Sequence, residues 1–382
     1  MRPFLFAAGV LIAGAFCCSM AFTNQRLDVN VNMTETMKIP DAFIGNRPQT
    51  SPFFENDSTA WFFWRGNADS VKVAGDWSDW RPLPLKRLDS EGMWFRREVF
   101  PSDARLDYKF IINDHEWILD PLNPLISQGG FGPNSELTMP HYIRPAELLS
   151  SPSVRQGVVL DTILTSTILQ QERRIQIYLP ADKKPLGSPR ALAIFLDGSE
   201  FLNLASANTV LDNLIAAQKI CPIVAAFETP HDRMAEYTSK PGEAFEHYFI
   251  DELVPFVLQC AQVSIDPQNR AVIGVSLSAA YATQLVCRNP HLFGGCAAMS
   301  PAYWFDNARV YHLVKNSSLT DVRFYLDRGV FEGRSIAFAD SMKEALQNQG
   351  YLFDWHVWHE GHSWGSWRAH LKHALQFLFP HR

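Results

Sequence analysis

One serine in this chain sits where a serine can act as a nucleophile. The run Ile273-Gly274-Val275-Ser276-Leu277-Ser278-Ala279-Ala280 follows a short apolar stretch, Ala271–Ile273, and leads into a helix-compatible segment, Ala279–Cys287. A sharp strand-to-helix turn lifts a Ser hydroxyl above a sheet, and small neighbours let the strand and helix pack closely there. The usual pattern is Gly-x-Ser-x-Gly, and here the last position is Ser278. A serine hydroxyl needs a base, and the base needs an orienting group. In this setting an acid and then a histidine follow the serine along the chain. Gly361-His362-Ser363-Trp364 comes after the strand-like run Asp354–Trp358 and before an amphipathic end helix, so His362 is the expected base, with His359 as the alternative nearer the strand. The acid should follow the strand-like run Val322–Leu326, where Asp327 and Glu332 both stand. Asp327 is nearly in the strand and Glu332 lies in the loop before a helix, so Glu332 is preferred and Asp327 is the alternative. The chemistry would be acyl transfer from an ester carbonyl to water. Its oxyanion would need backbone donors, expected at Leu277 and at Gly198 or Ser199 after Asp197. No metal or organic cofactor is required, and no Cys-x-x-Cys or His-x-x-x-His spacing suggests structural zinc.

The elements that must position these residues fall into two textures. From Gly157 onward, a β pair at Val158–Leu164 and Arg173–Leu179 precedes apolar runs at Ala191–Leu196, Ile223–Phe227, Ala271–Ile273, Cys296–Met299, Val322–Leu326 and Asp354–Trp358. Helical patterns lie between them. Phe245, Tyr248, Phe249, Leu253, Phe256 and Val257 keep i, i+3/i+4 spacing, and Ser335–Gln349 is stopped by Gly350. Buried strands alternating with helices predict a mostly parallel α/β sheet with helices on both faces. Before it, Ala60–Arg65, Ser70–Ala74, Met93–Phe100, Leu106–Asn113 and Glu116–Leu119 are short strand-like runs separated by turn residues, which predicts a small antiparallel sandwich.

Both parts carry a resemblance. Phe63-Trp64-Arg65-Gly66, Val73-Ala74-Gly75-Asp76-Trp77-Ser78-Asp79-Trp80, Tyr108-Lys109-Phe110 and Asp120-Pro121-Leu122-Asn123-Pro124 resemble the early-set immunoglobulin-like domains that precede glycogen-branching enzymes, isoamylases and some esterases. In starch-binding relatives exposed aromatics stack on sugars, which makes Trp77 and Trp80 possible glycan contacts. The remainder resembles the esterase D / enterochelin esterase family of α/β-hydrolases, which also holds feruloyl and acetyl-xylan esterases. The matching segments are Phe195-Leu196-Asp197-Gly198, Asp232 to Thr238, Phe249 to Pro255, the Ser276 turn, Ser300-Pro301-Ala302-Tyr303-Trp304, Gly329-Val330-Phe331-Glu332, and Gly361-His362 with Trp367-Arg368. The resemblance implies an α/β-hydrolase fold and a serine esterase. It puts Glu332 where an Asp is more frequent, pairs Arg233 with Glu236, and places Tyr303, Trp304 and Trp364 at the mouth of the substrate pocket. Two substrate classes fit it, a siderophore lactone and a carbohydrate ester of feruloyl or acetyl-xylan type. The competing readings are a glycan-binding protein on a hydrolase scaffold and an acyltransferase of the mycolyltransferase type.

Composition narrows the classes further. The chain has 382 residues, 47% hydrophobic and 19% charged, which excludes a disordered chain and suits two domains. A net charge of −6 without a basic run argues against nucleic-acid binding. Aromatic residues reach 13%, with 11 Trp, six of them between Trp61 and Trp117. Met1-Arg2-Pro3 and the apolar run Phe4–Phe16 read as a signal peptide cleaved after Ala21. The expected location is therefore periplasmic or secreted, with a lipoprotein at Cys17 the lesser alternative and no membrane span after cleavage. The expected organisation is signal 1–21, leader 22–53, sandwich 54–140, linker 141–156 and esterase domain 157–382. Cys221, Cys260, Cys287 and Cys296 would then remain, either as disulfides of unspecified pairing or as free thiols. The oligomeric state stays open.

Overall fold

The computed structural model of the protein describes residues 50–88, 92–181, 189–317 and 321–381. The signal segment and nearly all of the leader lie outside the described residues. Strand formation begins at Phe53–Asn56, which pairs with Thr59–Arg65, and this strand pairs in turn with Met93–Val99. With Lys86–Arg87 at its edge, this makes a four-stranded antiparallel sheet. Facing it are Val71–Gly75, Arg105–Ile112, Gly132–Thr138 and Ile126–Gly129. The space between is filled by Phe62, Val71, Val73, Leu106, Tyr108 and Phe110. On Arg105–Ile112 these apolar residues recur at every second position, the period that puts one face of a strand inward. The N-terminal part is thus an all-β region.

The second part is a mostly parallel sheet. Its order runs Val158–Ser166, Gln171–Leu179, Ile223–Glu228, Ala191–Leu196, Arg270–Val275, Gly295–Met299, Arg323–Phe331, Leu352–Gly361. The first two strands are antiparallel and the rest run parallel. Ala191–Leu196 shows why helices must cover both faces. Leu192, Ile194 and Leu196 enter one apolar core, and Ala193 and Phe195 enter the other. The first core is closed by Leu277–Arg288 and Ser335–Asn348, the second by Ala207–Ala216 and Trp364–Leu378. The periodic segment at 245–257 is helical, but its middle, Tyr248–Leu253, is a π-helix between Ala244–His247 and Val254–Cys260. Pro255 has no N–H to give to a carbonyl one turn back, so the ladder widens ahead of it.

The two parts share one sheet. Glu360, near the end of Leu352–Gly361, pairs with Arg105 at the start of Arg105–Ile112, which extends the order into the all-β region and gives 14 strands in all. The described residues form one compact unit. The segment expected as a linker is strapped down as well. The Asn213 side-chain amide donates to the carbonyls of Glu147 and Leu149, and the Glu147 carboxylate takes Lys219 at 2.9 Å and Lys372 at 3.4 Å.

All four described cysteines are free thiols. Cys287 and Cys296 are both buried, and desolvation pushes their thiols up, so they pack as small apolar side chains. Among the described residues, no helix is long and apolar enough to cross a membrane, and no cluster of three or more His, Cys, Asp or Glu could hold a metal ion.

Candidate active site

Ser276 lies between the strand Arg270–Val275 and the helix Leu277–Arg288, at φ 56° and ψ −117°. A left-handed φ in a non-glycine residue is strained, and such strain persists only where the surroundings hold it. Here the Ser276 N–H donates to the Met299 carbonyl of the next strand at 3.0 Å. Gly274 permits the turn. A Cβ there would come within 2.5–2.7 Å of the Ser278 and Ala279 backbone.

Three side chains from three strand ends meet at this turn. The Ser276 hydroxyl donates to His362 Nε2 at 2.8 Å, and His362 Nδ1 donates to Glu332 Oε2 at 3.3 Å. The Glu332 carboxylate is buried. Its other oxygen accepts from Ser300 Oγ at 2.6 Å and from the Gly329 N–H at 2.7 Å, which fixes its orientation. These contacts put the imidazole proton on Nδ1 and leave Nε2 as the acceptor facing the serine. Trp367 packs edge-on against the imidazole at 5.1 Å.

The alternatives lie elsewhere. Asp327 faces away from His362 and accepts from the Ser300 N–H, Tyr325 Oη and Trp358 Nε1. Burial pushes its carboxyl up to about 6. His359 is exposed and bonds Asp103 at 2.6 Å.

Gly198 and Leu277 are each the first residue of a helix, where backbone N–H groups lack intrahelical partners. Ser199 does not fit as an oxyanion donor, because its N–H is already given to Thr229 Oγ1 at 2.9 Å. Arg233 and Glu236 do not pair with each other. Arg233 makes a bidentate pair with Asp197, and Glu236 accepts from Arg173, because the short helix Arg233–Tyr237 points the two side chains to different neighbours.

A cleft of about 710 Å³ opens over Ser276 and His362. Of the expected pocket aromatics only Trp364 lines it, beside Trp367. Tyr303 is buried in the core under the elbow helix, with its hydroxyl bonded to Thr283 at 2.8 Å. Trp304 is taken up by Arg334, whose guanidinium stacks 3.7 Å from its ring centre. Neither residue lines the cleft. Trp77 is not a glycan contact either. It is partly buried, stacks on Phe62 at 5.1 Å and meets Phe100 edge-on at 5.2 Å, packed against the core of the all-β region. Trp80 does line the cleft, and Lys109, Trp117, Phe131 and Asn134 of the all-β region join it there. Sequence reasoning missed these four. The available signal was the lone aromatic in Gly129-Gly130-Phe131-Gly132, a turn with no core to bury it.

A strained serine at a strand-to-helix turn, reached by a histidine and a carboxylate from later strand ends of a mostly parallel sheet, is the arrangement of the α/β-hydrolases. The family model of the Esterase family matches residues 166–378, more than half of the chain, and the chain belongs to that family. It is a carboxylic ester hydrolase by class. The ferric enterobactin esterase of Salmonella typhimurium is similar in structure, with a TM-score of 0.75 at 21% identity over 87% of this chain and 97% of that one. In sequence, the uncharacterized protein YbbA of Bacillus subtilis is 24% identical over 176 residues, 42% of this chain and 70% of that protein. An endo-1,4-beta-xylanase/feruloyl esterase of Xylanibacter ruminicola is 33% identical over 91 residues, 23% of this chain and 12% of that protein.

Proposed function

We propose that the protein is a secreted or periplasmic serine esterase in which Ser276, His362 and Glu332 carry out the reaction. The observation that carries this is the unbroken chain of contacts from Ser276 Oγ through the imidazole to a buried, doubly anchored carboxylate. Ser276 Oγ attacks the ester carbonyl while His362 Nε2 takes its proton. Glu332 holds the Nδ1–H and stabilises the imidazolium. The Leu277 and Gly198 N–H groups face the developing oxyanion. The tetrahedral intermediate collapses, and His362 returns the proton to the leaving alcohol. Water then enters and is deprotonated by His362. It attacks the acyl-enzyme carbonyl and releases the acid, and the proton returns to Ser276. No step requires a metal or an organic cofactor. The signal segment 1–21 directs export.

The substrate is a carboxylic ester, either a siderophore lactone or a carbohydrate ester of feruloyl or acetyl-xylan type. The first class draws on the similarity to an enterobactin esterase, the second on the similarity to a xylanase/feruloyl esterase. The test is turnover of p-nitrophenyl acetate together with labelling by a fluorophosphonate probe. Wild-type protein should turn over and be labelled at Ser276, and Ser276→Ala should lose both with its thermal unfolding unchanged. Persistent turnover in a folded Ser276→Ala protein would remove the assignment.

A further inference from the structure

The all-β region does more than precede the esterase part: it supplies one wall of the cleft. Trp117 is 46% exposed, and Phe131, at the tip of the hairpin between Ile126–Gly129 and Gly132–Thr138, is fully exposed. Trp80 and Trp117 stack with ring centres 6.5 Å apart and planes 29° from parallel, which presents one broad indole surface to the cleft. Trp80 is held there at φ 57°, directly after Asp79 at φ 52°, with its Nε1–H on Asp76 at 3.2 Å. Two successive left-handed non-glycine residues, one of them bulky, are costly, and they persist because other bonds hold the turn. Folding alone would favour burying these rings.

The polar groups around this surface limit what it can bind. Arg233 is occupied by Asp197, and Asp107 by Arg105. Among the described residues that line the cleft, Lys109 and Glu200 are left without an ion pair, the buried Asp76 accepts from Trp80 Nε1 and the Asp107 N–H, and Asn134 adds an amide whose Nδ2–H goes to Asp107. That is no cationic surplus, so a multiply anionic ferric catecholate complex would find little to neutralise it. Donors and acceptors of both signs beside an aromatic face suit a sugar, which offers hydroxyls at its rim and C–H groups on its face.

We propose that Trp117 and Trp80, with Phe131 above them, form a saccharide subsite that holds the sugar of a carbohydrate ester while its ester carbonyl reaches Ser276. This rests on the esterase reading above and chooses between its two substrate classes. Two measurements separate the failure of one from the failure of the other. The first is binding of xylotetraose to the Ser276→Ala protein by calorimetry, which needs no turnover. Binding is expected, and Trp117→Ala or Phe131→Ala in that background should weaken it roughly ten- to a hundredfold. The second is the ratio of kcat/KM for a feruloylated xylo-oligosaccharide to that for methyl ferulate, which share an acyl group. Wild type should favour the oligosaccharide, and Trp117→Ala should lower the ratio at least about tenfold, mainly through KM. Both side chains are at the surface, so loss of folding does not confuse the result. Absence of xylotetraose binding, a ratio unchanged by both substitutions, or higher kcat/KM on enterobactin than on the oligosaccharide would overturn the subsite. Absence of turnover with xylotetraose binding intact would instead strike the esterase reading.

Discussion

Arg105 ties the all-β region to the loop that carries His362, and replacing it by Met tests how much that tie is worth. Its guanidinium is fully buried. It donates to Asp107 at 2.6 Å, Glu136 at 2.8 Å and Ser363 Oγ at 3.0 Å, and Ser363 caps the helix Trp364–Leu378 directly after His362. Removing one partner from a buried ion network costs about 3–5 kcal/mol, because the remaining charges stay desolvated. Glu136 would keep Arg144 at 2.8 Å and Arg368 at 3.5 Å, so the burden falls on Asp107, which keeps only the Asn134 amide. The lower bound, about 3 kcal/mol, then applies, with roughly 1 kcal/mol more for the Ser363 hydrogen bond. Burial raises the Glu136 carboxyl, but the charge and hydrogen bond of Arg105 outweigh it, so the group is held below its ordinary value. A carboxylate depressed in the folded state contributes stability above its unfolded pKa, and that contribution is lost as pH falls through the folded one. The gap between wild type and Arg105→Met should therefore be about 4 kcal/mol at pH 7 and narrow below about pH 4.5. The assay is urea unfolding, read in parallel by tryptophan fluorescence and by residual p-nitrophenyl acetate turnover. The two readouts should move together, because Glu360 and Arg105 join the parts in one sheet. A loss under about 1 kcal/mol, or activity that survives the fluorescence transition, would refute the coupling.

Other outcomes follow from single contacts. Glu332→Gln keeps the shape but removes the charge that faces Nδ1–H, and kcat on p-nitrophenyl acetate should fall about 10³- to 10⁴-fold. Asp327→Asn, at a carboxylate turned away from His362, should change it less than about tenfold; the opposite ranking would reassign the acid. Gly365→Ala would place a Cβ 2.0–2.1 Å from atoms of the Arg105 guanidinium. A substitution that usually strengthens a helix should here cost about 1–3 kcal/mol in thermal unfolding, and a rise in Tm would contradict the packing. Burial, reinforced by His370, Lys372 and His356, pushes His373 down to about 4. The unfolded chain protonates this group first, so its contribution to stability is full above about pH 6.5 and declines as pH falls toward 4. His373→Gln should flatten Tm against pH across that window, and an unchanged slope would show that the group titrates normally.

What the sequence made legible was local or ordered along the chain. Ser276, Glu332 and His362 could be proposed because each follows a strand-like run whose end lies on the same edge of a parallel sheet, and because the α/β-hydrolase fold keeps the chain order serine, acid, histidine. The strands themselves were readable from short apolar runs between helical patterns. Tyr303 and Trp304 follow the next strand, which points to the pocket mouth, but position after a strand does not say to which side a side chain turns. Tyr303 turns into the core because Thr283 offers its hydroxyl a partner there. Trp117 and Phe131 escaped notice for a different reason. Their place over Ser276 depends on the pairing of Glu360 with Arg105 and on the Arg105–Ser363 bond, contacts between residues some 250 positions apart that no local pattern encodes. Trp77 and Trp80, three residues apart, were alike in sequence and opposite in fate: the short 3₁₀ turn Asp76–Ser78 sends the first inward, and the left-handed pair Asp79 and Trp80 sends the second to the cleft.

Ser278 shows how a departure from the expected motif can be built into the turn itself. At this position glycine serves to let the elbow strand and helix approach, so a side chain should push them apart. The Ser278 hydroxyl instead occupies the gap as part of the turn. It accepts from the Val275 N–H at 2.9 Å and donates to Asp197 Oδ2 at 2.7 Å. Asp197 is the residue before Gly198 and is itself pinned by Arg233. One hydroxyl therefore links the turn bearing Ser276 to the turn bearing Asp197 and Gly198, a distance that a glycine at 278 would leave to packing alone. Ser278→Gly restores the common pattern, yet it leaves a buried Asp197 oxygen with one partner fewer, at a cost of about 1–3 kcal/mol. If the link matters for geometry, kcat on p-nitrophenyl acetate should fall along with stability. A variant more active than wild type would show that Ser278 is a compromise and not a brace.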